Sequence, residues 1–168
     1  VEHDILILAD DIYGRLVYNG NEFVPISSLS EAIRKQTIVI NGVSKAYAMT
    51  GWRVGYAVGD SEIIAAMSKL TGQTTSNLTS VSQYAAIEAL TGPQDSVDIM
   101  RQAFEERLNT IYPLLCEVPG FEVVKPQGAF YLFPNVKKAM EMKGYTDVTD
   151  FTTAILEEAE VALVTGAG

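Results

Sequence analysis

Asp10, Tyr13, Lys45 and Arg53 bring an acid, a phenol, an amine and a guanidinium into the first third of the chain. They sit in short words of small and polar residues: Asp10-Asp11-Ile12-Tyr13, Asn41-Gly42-Val43-Ser44-Lys45 and Thr50-Gly51-Trp52-Arg53. Taken singly, each has an ordinary structural explanation. A carboxylate at a strand end starts a turn, a tyrosine packs its ring, a lysine faces water, and an arginine makes a surface ion pair of small worth. Their shared position changes the reading. Asp10, Tyr13 and Lys45 follow predicted strands, and ligands of open α/β sheets bind outside the carboxyl ends of strands. Composition and spacing thus predict a pocket for an anionic ligand.

The elements that must position these groups are written as hydrophobic patterns. Ile5-Leu6-Ile7-Leu8-Ala9 is a continuous apolar run stopped by Asp10-Asp11, which reads as a strand buried on both faces. Residues 37–41 and 54–58 read alike. Ser28-Leu29-Ser30-Glu31 is a capping-box pattern that opens a short helix to Lys35. Ile63, Met67 and Leu70 share one face of a helix starting at Ser61, with Gly72 as its C-cap. After a polar stretch at 73–77, Ser80 and Gln83 form a second capping box for a helix that ends near Gly92-Pro93.

The longest periodic stretch comes next. Val97, Met100, Phe104, Leu108, Ile111 and Leu115 recur at helical spacing over about five turns. Pro113 is expected to kink or end that helix. Cys116, beside Leu115 on the apolar stripe, reads as a buried small side chain. Beyond Pro119-Gly120 the pattern predicts strands at 121–124 and 129–133, a helix at 147–158 and a strand at 161–164. Tyr131 reads as a core aromatic of an alternating strand. Strands alternate with helices, so the fold class is α/β. The long helix at about 95–116 marks the join between two lobes, residues 1–108 and 109–168.

Composition sets the outer bounds. With 168 residues, 48% of them hydrophobic, the chain has the makings of a folded core. Twelve basic against 21 acidic residues give a net charge of −9, and no stretch concentrates the basic ones, which argues against nucleic acid as a partner. No apolar run approaches the roughly 20 residues of a membrane span. The single cysteine fits a reducing, cytoplasmic setting. The acidic pairs Glu105-Glu106 and Glu157-Glu158 read as solvated helix faces, and no metal site is expected. Both ends of the sequence look cut, as in a piece of a longer protein.

The literal words go further than the pattern. Asp10-Asp11-Ile12-Tyr13, the stretch Val43-Ser44-Lys45-Ala46-Tyr47-Ala48-Met49-Thr50-Gly51-Trp52-Arg53-Val54-Gly55-Tyr56 and Lys125-Pro126-Gln127-Gly128-Ala129-Phe130-Tyr131-Leu132-Phe133-Pro134 closely resemble the pyridoxal-phosphate-dependent aminotransferases of fold type I, class I/II. The resemblance covers essentially the whole chain. It implies a three-layer αβα large domain, its later part present here, followed by the start of an α+β small domain. It implies pyridoxal 5′-phosphate as cofactor, with Lys45 as the aldimine-forming lysine and proton carrier. By the same likeness Asp10 pairs with the ring nitrogen, Tyr13 donates to the ring oxygen, and Arg53 grips the phosphate. Amino acid and 2-oxo acid substrates follow, with aspartate or an aromatic amino acid as donor, as does a homodimer in the full-length enzyme.

Two positions depart from the family's pattern. Many members carry a serine three residues before the lysine; Gly42 stands there, leaving Ser44 as the substitute phosphate ligand. Asp11 replaces the commoner glutamate, a mild change. The family's phosphate-binding turn, the ring-stacking aromatic and the arginine for the substrate carboxylate fall outside this sequence, so the piece alone is expected to be inactive. Two other readings share the same residues: a C–S or β-lyase of the same fold, and the ligand-sensing domain of a transcription regulator.

Overall fold

Three short strands, β1 (Ile7–Asp10), β2 (Thr37–Gly42) and β3 (Gly55–Val58), form one sheet in the order β1-β2-β3. The computed structural model describes residues 2–166. β1 runs parallel to β2 with Asp10 opposite Ile40, and β2 runs antiparallel to β3 with Gly42 opposite Gly55. A parallel pair needs a crossover, and residues 11–36 supply it, including the short helix α1 (Glu31–Lys35). The sheet therefore delivers the ends of β1 and β2 and the start of β3 to one edge. All the candidate residues lie in or beside those three ends.

Strand positions follow the sequence pattern more closely than strand burial does. Ile5 and Leu6 precede β1, and Ile5, Leu6, Leu8 and Val58 are all exposed. The expectation of strands buried on both faces is thus corrected. A run of β-forming residues makes a strand whether or not a layer covers it, and among the described residues nothing covers these side chains. Helix starts shift in a similar way. Ser30, not Ser28, caps α1, its hydroxyl accepting from the Ile33 amide at 3.2 Å, while Ser28 ends a 3-10 turn at Ile26–Ser28. Two residues late, the cap still does its work, because only the residue with extended backbone can turn its oxygen onto the first free amides.

Helix α2 (Ser61–Thr74) passes straight through Gly72, which open helix interior tolerates at modest cost. Its Met67 and Leu70 stripe stays largely exposed. Helix α3 (Ser80–Thr91) is capped by Thr79 instead of Ser80, and Gln83 turns its amide to the Leu78 carbonyl at 2.8 Å. Helix α4 (Asp95–Cys116) runs past Pro113. In the last turn a missing amide removes only one ladder bond, so the ring neither ends the helix nor costs what it would at the centre. Cys116 is exposed, not buried.

The chain divides into two compact units. The first comprises the chain up to Glu105 together with Gln127–Ala129, and its buried side chains include Leu16, Tyr18, Val43, Ala46, Val54, Ala86 and Val97. Gln127–Ala129 is pinned by backbone bonds, with the Tyr18 amide donating to Gln127 at 2.9 Å and the Ala129 amide to Leu16 at 2.8 Å. The second unit comprises Glu106–Pro126 and the chain from Phe130 onward. It contains α5 (Lys137–Lys143), absent from the sequence expectations, and α6 (Val148–Ala159), which packs Phe151 edge-on to Tyr145 with ring centroids 5.5 Å apart.

The predicted strands at 121–124, 129–133 and 161–164 are not formed. In their place stand two isolated bridges, Glu122 with Asn135 and Val17 with Gly128. Val124, Tyr131, Phe133 and Val164 are exposed. Alternation of apolar residues makes a strand only where a partner edge exists to take its hydrogen bonds, and no such edge lies beside them among the described residues. Likewise, among the described residues no helix is long and apolar enough to cross a membrane.

Asp147 caps α6, accepting from the Thr149 and Asp150 amides at 2.7 and 3.1 Å, and these bonds hold its carboxyl below the ordinary value of 3.8. A carboxyl lowered by folding stabilises the fold above its unfolded pKa, and that stabilisation is lost as pH falls through the lower, folded value. Asp147→Asn keeps a capping oxygen but not the charge. Urea titrations should find the variant less stable than the parent at pH 6, with the gap closing below pH 3.8. An equal gap at both pH values would be the contrary result.

Candidate active site

Between β2 and β3 the chain makes a twelve-residue excursion, 43–54, that carries Ser44, Lys45 and Arg53. Two valines pin its ends. Val43 is fully buried and Val54 nearly so, and both pack with Ala86 of α3 while Tyr47, Met49 and Ala89 lean on the cluster. The Val43 amide also donates to the Val54 carbonyl at 3.2 Å. Within the excursion the Tyr47 amide reaches back to Val43 and the Ala48 amide to Lys45, so Lys45 sits in a tight turn. Two non-glycine residues, Ala48 and Arg53, take left-handed backbone with φ of 53° and 55°. Such conformations each cost on the order of 1–2 kcal/mol and persist only where neighbours enforce them.

Asp10 ends β1, and its carboxylate accepts from the Ile12 amide at 3.2 Å. The Asp11 amide donates to the Ile40 carbonyl, extending the β1–β2 ladder by one bond. Tyr13 follows in a turn closed by the Leu16 amide donating to the Tyr13 carbonyl at 2.8 Å. Burial, and then the Asp10 charge, push the Asp11 carboxyl up from its ordinary value. Asp10 is exposed at the strand tip and Asp11 is half-buried beside it.

A cleft of about 260 Å³ lies at this edge of the sheet, and Asp10, Ser44 and Arg53 all line it. Asn41 and Gly42 from β2 and Ile12 also contribute to its wall. Arg53 is exposed, and one of its Nη atoms donates to the Thr50 carbonyl at 2.7 Å. Lys45 and Tyr13 form a second pairing, with the amine 5.7 Å from the ring centroid. The candidate residues thus fall into two groups, an acid–hydroxyl–guanidinium cleft and an amine–phenol pair. Serine and lysine are adjacent in the chain, so the groups share one turn. The arrangement offers a cation and a hydroxyl for an anion, an acid for a cationic ring atom, and an amine for a carbonyl.

Gly42 is a structural requirement. A Cβ there would stand 2.7 Å from the Val54 carbonyl oxygen and 3.1 Å from Gly55 Cα, both backbone atoms that cannot swing aside. The serine found at this place in many class I/II aminotransferases does not fit between these two strands, which leaves Ser44 as the hydroxyl on the cleft. Three residues escaped the sequence reading: Arg15, Tyr47 and Gln94. Arg15 donates to the Tyr47 hydroxyl at 3.1 Å and to the Gln94 amide oxygen, and the Tyr47 hydroxyl donates to the same oxygen at 3.0 Å. Arg15 and Tyr47 each lie two positions past a predicted site residue, a visible cue; nothing in the sequence marks Gln94.

Gly42→Ser should lower stability by about 1–3 kcal/mol, the usual cost of overpacking against rigid neighbours. Denaturant unfolding checks this, and a variant as stable as the parent would show that β2 and β3 separate easily.

The description "Aminotransferase class I and II" belongs to the family profile that matches residues 1–168. The chain is 79% identical over 168 residues to an asparagine–oxo-acid transaminase of Streptococcus mutans, and 57% identical over the same length to an aspartate aminotransferase of Bacillus sp.. Both alignments cover all of this chain and 43% of the relative, so the chain spans less than half the length of these proteins. The fold superposes on the aspartate aminotransferase of Rhizobium meliloti with a TM-score of 0.89 at 39% identity, covering 96% of this chain and 42% of that one. An aromatic aminotransferase of Pyrococcus horikoshii gives 0.89 at 35% identity, covering 99% and 43%. Motif words, whole-length profile match and superposed fold agree, and the chain belongs to the class I and II aminotransferase family.

Proposed function

We propose that the intact protein to which this chain belongs is a pyridoxal 5′-phosphate-dependent transaminase that moves an amino group from an amino acid to a 2-oxo acid. The observation that carries the reading is the convergence of Asp10, Ser44 and Arg53 on one cleft, with the Lys45 amine over the Tyr13 ring beside it. The donor set fits the cofactor group by group. A carboxylate suits a protonated ring nitrogen, a guanidinium and a hydroxyl suit a phosphate, a phenol suits a ring oxygen, and an amine suits an aldehyde.

When bound, the cofactor supplies an electron sink for the charge that develops at the substrate α-carbon. The chain's own residues do the rest. Lys45 would hold the cofactor through its amine and, once released, would take the proton from the substrate α-carbon as general base and deliver it as general acid to the cofactor carbon that keeps the amino group. Asp10 keeps a proton on the ring nitrogen by pairing with it. Tyr13 donates a hydrogen bond that tunes the ring oxygen. Arg53 and Ser44 anchor the phosphate, so the reacting end stays registered against Lys45.

In this reading the first unit is the later part of the large cofactor-binding domain and the second the beginning of the small one. Aspartate or an aromatic amino acid is the donor proposed; the names of the similar proteins support both and add asparagine. The enzyme acts as a cytoplasmic homodimer. One cysteine is consistent with a reducing compartment, and the exposed Tyr84, Ile87 and Val81 of α3 supply apolar surface suited to being covered in a larger assembly.

The full-length protein with pyridoxal phosphate should have a visible absorbance band that Lys45→Ala abolishes. Borohydride reduction should then fix the cofactor to the peptide bearing Lys45. A band unchanged in Lys45→Ala would overturn the assignment. Incubation with amino acid alone should yield one equivalent of oxo acid per site; continuous ammonia release would mark a lyase instead.

A further inference from the structure

The Lys45 and Tyr13 turns come from different parts of the chain, and neither carries the other's backbone. Both border a cleft of about 360 Å³ lined by Asp11, Gly14, Arg15, Ala46 and Tyr47 among others, and the Lys45 amine stands 5.7 Å from the Tyr13 ring centroid. What spans the gap is polar. Arg15, two residues beyond Tyr13, donates to the hydroxyl of Tyr47, two residues beyond Lys45, at 3.1 Å. Both then donate to the side-chain oxygen of Gln94, Tyr47 at 3.0 Å. The three side chains close a triangle.

Gln94 is itself fixed. Its amide nitrogen donates to the carbonyls of Ala89 and Gly92 at 3.0 and 2.8 Å, at the end of α3. With both amide hydrogens spent on main-chain oxygens, the side-chain oxygen is committed to the side facing Arg15 and Tyr47. The Gln94 carbonyl also accepts from the Val97 amide, tying this residue to the start of α4. The Phe23 ring lies close against Gly14 of the Tyr13 turn, where an added Cβ would come within 2.8 Å of it. A charged donor makes the Arg15 bonds stronger than neutral ones. A three-membered, closed network resists rotation of any one member better than a single bond does.

We infer that Arg15, Tyr47 and Gln94 are positioning residues which lock the Tyr13 turn to the Lys45 turn and so set the angle between the phenol and the amine. This rests on the reading that Lys45 and Tyr13 hold the cofactor. None of the three lines the cleft of Asp10, Ser44 and Arg53. The network acts on the reaction by keeping the Lys45 amine in line with the atoms between which it moves a proton, where small misplacements are expensive in rate.

The test uses the full-length holoenzyme and the variants Tyr47→Phe, Gln94→Leu and the double variant, with Lys45→Ala as control. Tyr47→Phe retains the ring that packs on Val43 and Val54, so it keeps the core if Gln94→Leu does not fold. Visible circular dichroism, normalised to absorbance, reads the orientation of the lysine-bound cofactor. Each single variant should lose visible dichroic intensity and about tenfold in kcat. Its KM should stay close to the parent's, and the double variant should lose less than the product of the two single losses, because the singles share the Tyr47–Gln94 bond while each leaves one Arg15 bond in place. Rigid, parent-like visible dichroism and kcat in a folded Tyr47→Phe would overturn the inference while leaving the cofactor assignment standing. A visible band surviving in Lys45→Ala would remove the assignment and this inference with it.

Discussion

One short contact sets the geometry on which the site depends. Val43 and Val54, the two ends of the excursion between β2 and β3, are bonded amide to carbonyl and buried together against Ala86. Everything chemical on that excursion is hung between these two points. Burying a valine is worth roughly 1.5–3 kcal/mol, a scale on which two of them offset the left-handed backbone at Ala48 and Arg53. The strain is spent where it turns side chains outward. Arg53 leaves the core and reaches the cleft because its backbone is wound the wrong way just before β3 begins.

The same closeness dictates Gly42. Because the strands are drawn together at Val54, no side chain fits at position 42, and the hydroxyl on the cleft comes from Ser44, one residue before the lysine. This is a packing decision with a chemical consequence. A familiar ligand position has been given up to strand contact, and the neighbouring turn supplies the replacement. The acid side of the cleft is arranged more simply, since Asp10 is delivered by the end of a parallel strand and held by the Ile12 amide.

Apolar side chains stay open across β1, α2 and α3. They explain why hydrophobic periodicity located elements well and burial badly. Leu70 lies on the stripe that marked α2 and is nonetheless 67% exposed. Helical spacing records which face a residue shares; whether that face is covered depends on chain that is not local to it. The strands expected at 121–124 and 129–133 failed for a related reason, since a strand is completed by a partner and, among the described residues, the pairing found there is the isolated bridges at Glu122 and Val17.

The order of local words was enough to give the α/β class and the family, and to single out Asp10, Tyr13, Ser44, Lys45 and Arg53 as candidates, because those signals reside in residue types at short spacing. Cap identity, to within a residue or two, was likewise local, as Ser30 and Thr79 illustrate. Which residues share a cleft was decided only in three dimensions. Asp10 and Arg53 are 43 positions apart and meet through strand pairing. The Arg15–Tyr47–Gln94 triangle joins three segments whose separation no periodicity encodes. Local pattern carries propensity and chemistry, while proximity and burial belong to the register of the sheet and the contacts around it.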